Sequence, residues 1–283
     1  MAALLALASS LVWGSADFFG GMLTKRIPAL IVVAVSQAAA VVVLAPWVLA
    51  THAWDAGWGF FPWSFLWAFT GPIGLAAFYY ALAIGTMGVV SPISAMGILV
   101  PVTVGFARGE RPNTLQVVAI LVAIAGVILV GGPDVRTEDD AKREHGLKPI
   151  IFAVIAALGF GSSYVFVSLG AETSLSMTLI TQRAMSACVA AVLVAITVGW
   201  RRLAGRDVLR IGGVGAGDIA ANALYGLSST LGLLSVTAVF GSLFPVVTVF
   251  LARFLLHERL SRLQKLGVGL AMVGVVGLAG AGA

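Results

Sequence analysis

The chain has 283 residues, of which 60% are hydrophobic and 10% charged, where a soluble domain carries about a quarter charged residues. That much apolar surface cannot be hidden inside one globular core of this size, so the surrounding solvent is lipid. The net charge of +5 resides in short basic loops such as "WRRLAGRDVLR" (Trp200 to Arg210), the pattern of topology determinants and lipid phosphate contacts, and nucleic acid is not an expected partner.

Apolar runs of about 20 residues, long enough to cross about 30 Å of hydrocarbon, recur along nearly the whole chain. The first, over 2–21, lacks the positively charged start of a signal peptide and is followed by Lys25 and Arg26, which marks a retained helix. It carries Asp17, with Trp13 one turn earlier on the same helical face. Ionisable groups inside spans are costly and are functional candidates by default, so Asp17 is a candidate coupling residue. The competing reading is an interfacial carboxylate that snorkels or pairs with Lys25 or Arg26. The second span, 29–50, brings Gln37, and the third, 63–84, ends with Tyr79 and Tyr80 as candidate cavity-lining groups. The fourth, 88–107, contains Pro92 and Pro101, hinge candidates because each removes a backbone hydrogen bond. The stretch "GERPNTLQ" (Gly109 to Gln116) leads into the fifth span, 115–131. The segment "PDVRTEDDAKREHGLK" (Pro133 to Lys148) mixes both charge signs and reads as a solvated linker.

Five more spans follow, over 149–170, 175–199, 212–233, 236–256 and 264–282. The sixth carries Tyr164, and the seventh carries Gln182 and Arg183. A buried guanidinium in that place either holds a substrate carboxylate in a bidentate fork or clamps two helices together. Asp218 and Asn222, four apart on the eighth span, share a face. Counted from residue 212, Asp218 lies near a helix start, where the helix dipole favours a carboxylate, while Asn222 and Tyr225 read as cavity-lining groups. The ninth span contains Pro245, and "HERLSRLQ" (His257 to Gln264) precedes the tenth. Small residues at Ala119/Ala123 and Gly267/Ala271 read as close helix contacts. The single cysteine, Cys188, builds neither an intramolecular disulfide nor a cysteine metal site. The three histidines all sit at loops or span ends, and the chain has no Walker A loop, no H-E-x-x-H and no G-x-S-x-G. Neither an enzyme nor a cofactor or metal is expected.

The two Glu-Arg stretches reveal an internal repeat. Glu110-Arg111 and Glu258-Arg259 lie 148 residues apart, and "LVWGSADFF" (Leu11 to Phe19) aligns with "LGFGSSYVF" (Leu158 to Phe166) at 147. Gly71 through Tyr79 aligns with Gly217 through Tyr225 at 146, Asp17 falls opposite Tyr164, and Gln37 falls opposite Gln182. Pro101 precedes Glu110 by nine residues and Pro245 precedes Glu258 by thirteen, so the fourth span is expected to be one turn shorter than the ninth. Five spans per copy is an odd number, and the second copy therefore enters the bilayer inverted. The expected fold is an all-α membrane protein of about ten transmembrane helices in two inverted-topology repeats, 1–131 and 149–283, joined by a charged linker at 132–148. Such repeats are typical of secondary transporters working by alternating access. The Glu-Arg motif reads as structural: Ser261 and Gln264, and Asn113 and Gln116, have capping-box spacing. Glu110 and Glu258 then lie just ahead of a helix N-terminus, with Arg111 or Arg259 reaching lipid phosphate.

The residues "WGSADFF", "FYYALAIGTMGVVSPISAMGILVPV" (Phe78 to Val102) and "SLFPVVTVFLARFLLHERLSRLQKLGVGLAMVGVV" (Ser242 to Val276) make the chain resemble the EamA transporters of the drug/metabolite transporter superfamily. The resemblance covers both halves. It implies a permease of ten helices in two repeats that exports small metabolites or drugs across the cell membrane. Half-size relatives, the small multidrug resistance proteins, carry a first-helix carboxylate that binds cation or proton, and Asp17 departs from a typical EamA helix in that direction. The basic residues collect in loops on the side away from the N-terminus, which by the positive-inside rule puts both termini outside the cytoplasm. Members of the resembled family usually have both termini inside, so the orientation stays unassigned. The expected partners are a small organic solute and the lipid bilayer, with a homodimer left open. The alternative function is a non-transporting structural or regulatory membrane subunit, which a large unbroken apolar surface without buried polar groups would mark.

Overall fold

The computed structural model describes residues 1–24, 26–84, 93–94, 96–130, 147–255 and 262–281. The linker 132–146, Lys25, Pro92, Glu258, Arg259 and Ser261 lie outside them. The described residues are helical almost throughout, with no strand among them. In chain order they form α1 (Ala2–Thr24), α2 (Ala29–Ala50), α3 (Phe61–Ile84), α4 (Leu99–Ala107), α5 (Thr114–Val130), α6 (Leu147–Leu193), α7 (Gly205–Leu231), α8 (Leu234–Gly241), α9 (Phe244–Leu255) and α10 (Arg262–Gly280). The apolar stretch Leu147–Val198 is 52 residues long, enough to cross a bilayer twice at about 20 residues per crossing. It does so by breaking at Ser174, whose φ of −161° and ψ of 109° are extended. The Ser174 hydroxyl then accepts a 3.3 Å hydrogen bond from the Met177 amide, capping the second arm. The two arms, 147–173 and 175–193, are α6a and α6b below.

Residue usage is inverted relative to a soluble core. The buried positions are rich in alanine, glycine and serine, whereas Leu4, Leu11, Val42, Val43, Phe65, Leu121, Leu158 and Ile196 face outward. Lipid is as apolar as leucine, so burial of large side chains brings little between helices. Close approach of small ones supplies the packing instead.

The packing is between halves rather than within them. Helix α1 lies against α7 and α9, α3 lies against α6, α5 lies against α10, and α2 lies against α6b and α7. The glycines give the register of this interleaving. A Cβ on Gly14 would stand 2.5 Å from the Phe244 carbonyl and 2.5 Å from Val247, and a Cβ on Gly161 would stand 2.2 Å from the Gly97 carbonyl and 2.8 Å from Val100. All three residues of the first contact are 147 positions from their counterparts in the second. Likewise Gly126 abuts Ala271 while Gly274 abuts Ala123, both at an offset of 148. The molecule thus has a pseudo-twofold relation between its inverted repeats.

This register corrects three expectations. Gly97 corresponds to Phe244 and Glu110 to Glu258, so the stretches between them differ by one residue. Pro101 and Pro245 are not equivalent positions, so their different distances to the Glu-Arg motif do not measure the length of the span. Neither proline kinks its helix: each falls in a first turn, of α4 and of α9, where the missing N–H has no intrahelical acceptor to lose. The breaks lie just ahead of them, at a 3₁₀ turn over Met96–Ile98 and between Gly241 and Phe244. Finally, the eighth helix starts at Gly205 rather than at 212, which moves Asp218 from a helix end to the middle of a 27-residue helix.

Candidate functional site

Arg183 on α6b is 2% exposed and is tied to three other helices. Its Nη1 donates to Gln37 Oε1 of α2 at 2.9 Å and forms an ion pair with Asp218 Oδ2 of α7 at 2.7 Å. Its guanidinium carbon stands 4.7 Å from the centre of the Trp67 ring of α3, a stacking that desolvated cations favour. A lone buried charge in this environment would be prohibitive, and the Asp218 carboxylate supplies the partner.

Asp218 extends the network to α1. Its Oδ1 accepts from Trp13 Nε1 at 2.9 Å and from Asn222 Nδ2 at 3.3 Å, while the same amide donates to the Asp218 carbonyl at 2.8 Å. Trp13 belongs to an aromatic wall drawn from both halves, its ring centre 5.5 Å from that of Tyr164 and 6.0 Å from that of Tyr225. Tyr164 and Tyr225 meet edge to face at 4.9 Å. Edge-to-face contacts fix rings in orientation beyond what area burial does.

Asp17 lies one turn beyond Trp13. It is exposed while its neighbours Ala16 and Phe18 are buried, and it accepts no hydrogen bond and makes no ion pair among the described residues. It acts electrostatically on Asp218 and Tyr164. The predicted pairing with Arg26 is therefore not made.

Of the sequence candidates, the structure gathers Trp13, Gln37, Tyr164, Arg183, Asn222 and Tyr225 into one network with Asp17 at its border. Gln182 is fully buried, but it does not meet Gln37, which is held by Arg183. Tyr80 is not part of the cluster: it is 49% exposed and packs edge to face on Phe152. The side chain of Tyr79 lies outside the described residues. Sequence reading placed Asp218 at a helix start rather than in the cluster, and it did not single out Trp67. The available signal was charge balance, because a membrane-buried arginine requires an acid, and Asp218 is a carboxylate inside the span after it.

The Glu-Arg turn also works differently from its sequence reading. Asn113 and Gln116 do form the reciprocal capping box, with Gln116 N to Asn113 Oδ1 at 2.8 Å and Asn113 N to Gln116 Oε1 at 2.9 Å. Glu110, however, does not serve the helix that follows it. Its carboxylate accepts from the Leu234 amide, from the Ser235 amide at 3.0 Å and from the Ser235 hydroxyl at 2.5 Å, capping α8 in the other half. Gly105 makes room for it, since a Cβ there would stand 2.3 Å from Glu110 Oε2. The neighbouring Arg108 pairs with Glu172 at 2.7 Å, and Arg111 is exposed. In the second copy Gln264 is buried.

With this geometry in hand, the chain can be set beside known proteins. It matches the EamA-like transporter family over residues 1–132 and 147–280. The chain belongs to that family. No curated protein matches it. A crystal structure described only as that of a protein is similar over 98% of this chain and 95% of its own length, with a TM-score of 0.77 at 16% identity, a likeness that establishes the EamA chain's fold alone. This EamA protein is an integral membrane protein of all-α architecture and a transporter of the drug/metabolite type.

Proposed function

We propose that this transporter moves small organic solutes across the cell membrane by alternating access, in the export direction that its family resemblance implies, with the solute docking beside the Asp17, Trp13 and Asp218 cluster and proton exchange at Asp17 driving the cycle. The observation that carries the reading is the contrast between two carboxylates on facing helices. Asp218 is fully engaged by Arg183, Trp13 and Asn222, whereas Asp17 is exposed and has no described partner. A carboxylate held inside a membrane protein without a fixed cation is free to exchange a proton or a charged solute.

The position of the cluster between the repeats supports alternating access. It joins α1 and α2 of one repeat to α6b and α7 of the other, at the seam between inverted repeats. Relative motion of the halves changes who can reach Asp17.

The test is solute-driven proton movement in proteoliposomes with pyranine trapped inside, comparing wild type with Asp17→Asn over amino acids, organic cations and organic acids. A proton signal for one solute class that vanishes in Asp17→Asn is the expected result. Undiminished proton-coupled flux in the variant removes Asp17 from the coupling step.

A further inference from the structure

Buried polar side-chain atoms are nearly always paired, and each exception calls for an explanation. Here most of the exceptions fall on two helices. Among the described residues, the buried side-chain atoms without a partner are Trp67 Nε1, Thr70 Oγ1, both amide atoms of Gln182, and Nε and Nη2 of Arg183, with one further atom, the Tyr225 hydroxyl, beside Thr237. The first six belong to two helices, α3 and α6b, that run along each other from the Ser64 to Thr178 hydrogen bond of 3.2 Å. Trp67 and Arg183 are already in stacking contact.

The identity of these atoms is informative. A guanidinium has five N–H donors. The two on Nη1 match its two partners, Gln37 and Asp218, which leaves the side formed by Nε and Nη2 unused. That side presents two parallel N–H groups, the geometry that a carboxylate fills bidentately. The indole N–H of Trp67 can only donate, and the Gln182 amide and the Thr70 hydroxyl each have a proton to give. Leaving such groups empty costs about 1–3 kcal/mol apiece, and four of the six atoms, Trp67 Nε1, Gln182 Nε2 and Arg183 Nε and Nη2, can only donate, which favours an acceptor. A cation is disfavoured beside a guanidinium whose carboxylate partner among the described residues, Asp218, is already paired with Nη1.

Pro72, two residues after Thr70 and within α3, removes the hydrogen bond that would tie this turn to the preceding one, so the helix is weakened beside these groups.

We propose that the free edge of Arg183, together with Trp67 Nε1 and the Gln182 and Thr70 side chains, binds the carboxylate of the transported solute. This rests on the transport reading above and narrows its substrate class to carboxylate-bearing solutes.

The probe is radiolabelled benzoate, with benzamide and benzylamine as neutral and cationic isosteres. Equilibrium binding is measured on the full chain in lipid nanodiscs, for wild type and for Trp67→Phe, which keeps an aromatic ring beside Arg183 and removes the indole N–H. The expected result is binding of benzoate in preference to both isosteres, weakened roughly 10- to 100-fold by Trp67→Phe, the loss of one hydrogen bond to a charged group. Equal binding of benzoate and benzamide, or benzoate affinity unmoved by Trp67→Phe, overturns the proposal and leaves the edge to buried water. Benzoate counterflow in vesicles separates the two readings. Selective binding without flux keeps the subsite and removes transport of this solute class, while flux confined to non-carboxylate solutes keeps transport and removes the subsite.

Discussion

Among the described residues, the Glu110 contact with α8 and the Arg183 cluster both use charge to join the halves, and they are finished to different degrees. At the turn after α4, both oxygens of Glu110 are taken by three donors of α8, and Gly105 leaves the carboxylate its space. In the membrane interior, Arg183 is held by Gln37 and Asp218 on one nitrogen, while its other two nitrogens and the adjoining Gln182 and Trp67 have no partner among the described residues. A saturated polar cluster is a structural joint whose removal costs stability. An unsaturated one carries a standing energetic cost that only something outside the chain can recover.

The largest effect that would break this contrast is at Asp218. Asp218→Ala leaves Arg183 buried without its counter-charge and is expected to cost about 3–5 kcal/mol in unfolding measurements, with transport lost. A loss below about 1 kcal/mol would mean that the pair is not buried as described. Next comes Glu110→Ala, which orphans the first amides of α8 and is expected to cost about 2 kcal/mol by thermal unfolding. Glu110→Gln should recover part of that, and substrate affinity should be unchanged in whatever protein remains folded. Smallest in stability is Gln182→Leu. It replaces two unpaired polar atoms by an apolar group of similar size, so its stability should stay within about 1 kcal/mol of wild type or rise, while benzoate affinity falls. A marked destabilisation by Gln182→Leu would place that amide with the structural joints.

What could be read from the sequence follows the distance over which each feature is decided. The repeat, the spans and the Asn113 and Gln116 box are set by local composition and spacing, and they were legible. The break at Ser174 also fell between two expected spans. Asp218 was misread because an apolar window cannot see the first turns of α7, "GRDVLRI", whose charges hide a helix that has already begun. The Glu110 contact could not have been derived from neighbours in sequence, since its partner lies 124 residues away and the nearer helix N-terminus already had its own cap. Trp67 carries no signal of its own in the sequence, because its part in the cluster comes from the guanidinium stacked on its ring.

The interleaving of the halves bears on how the protein is made. Helix α1 has few contacts with α2, the next to be synthesised, and its Ser9 hydroxyl bonds to the Ala221 carbonyl, 212 residues later in the chain. At ribosomal speeds of about 5–20 residues per second, that partner arrives on the order of tens of seconds afterwards. Through that interval the first helix, with Asp17 and Trp13 along it, sits in the bilayer or its insertion machinery as a placeholder, and the site becomes whole only when nearly the last helices close around the first.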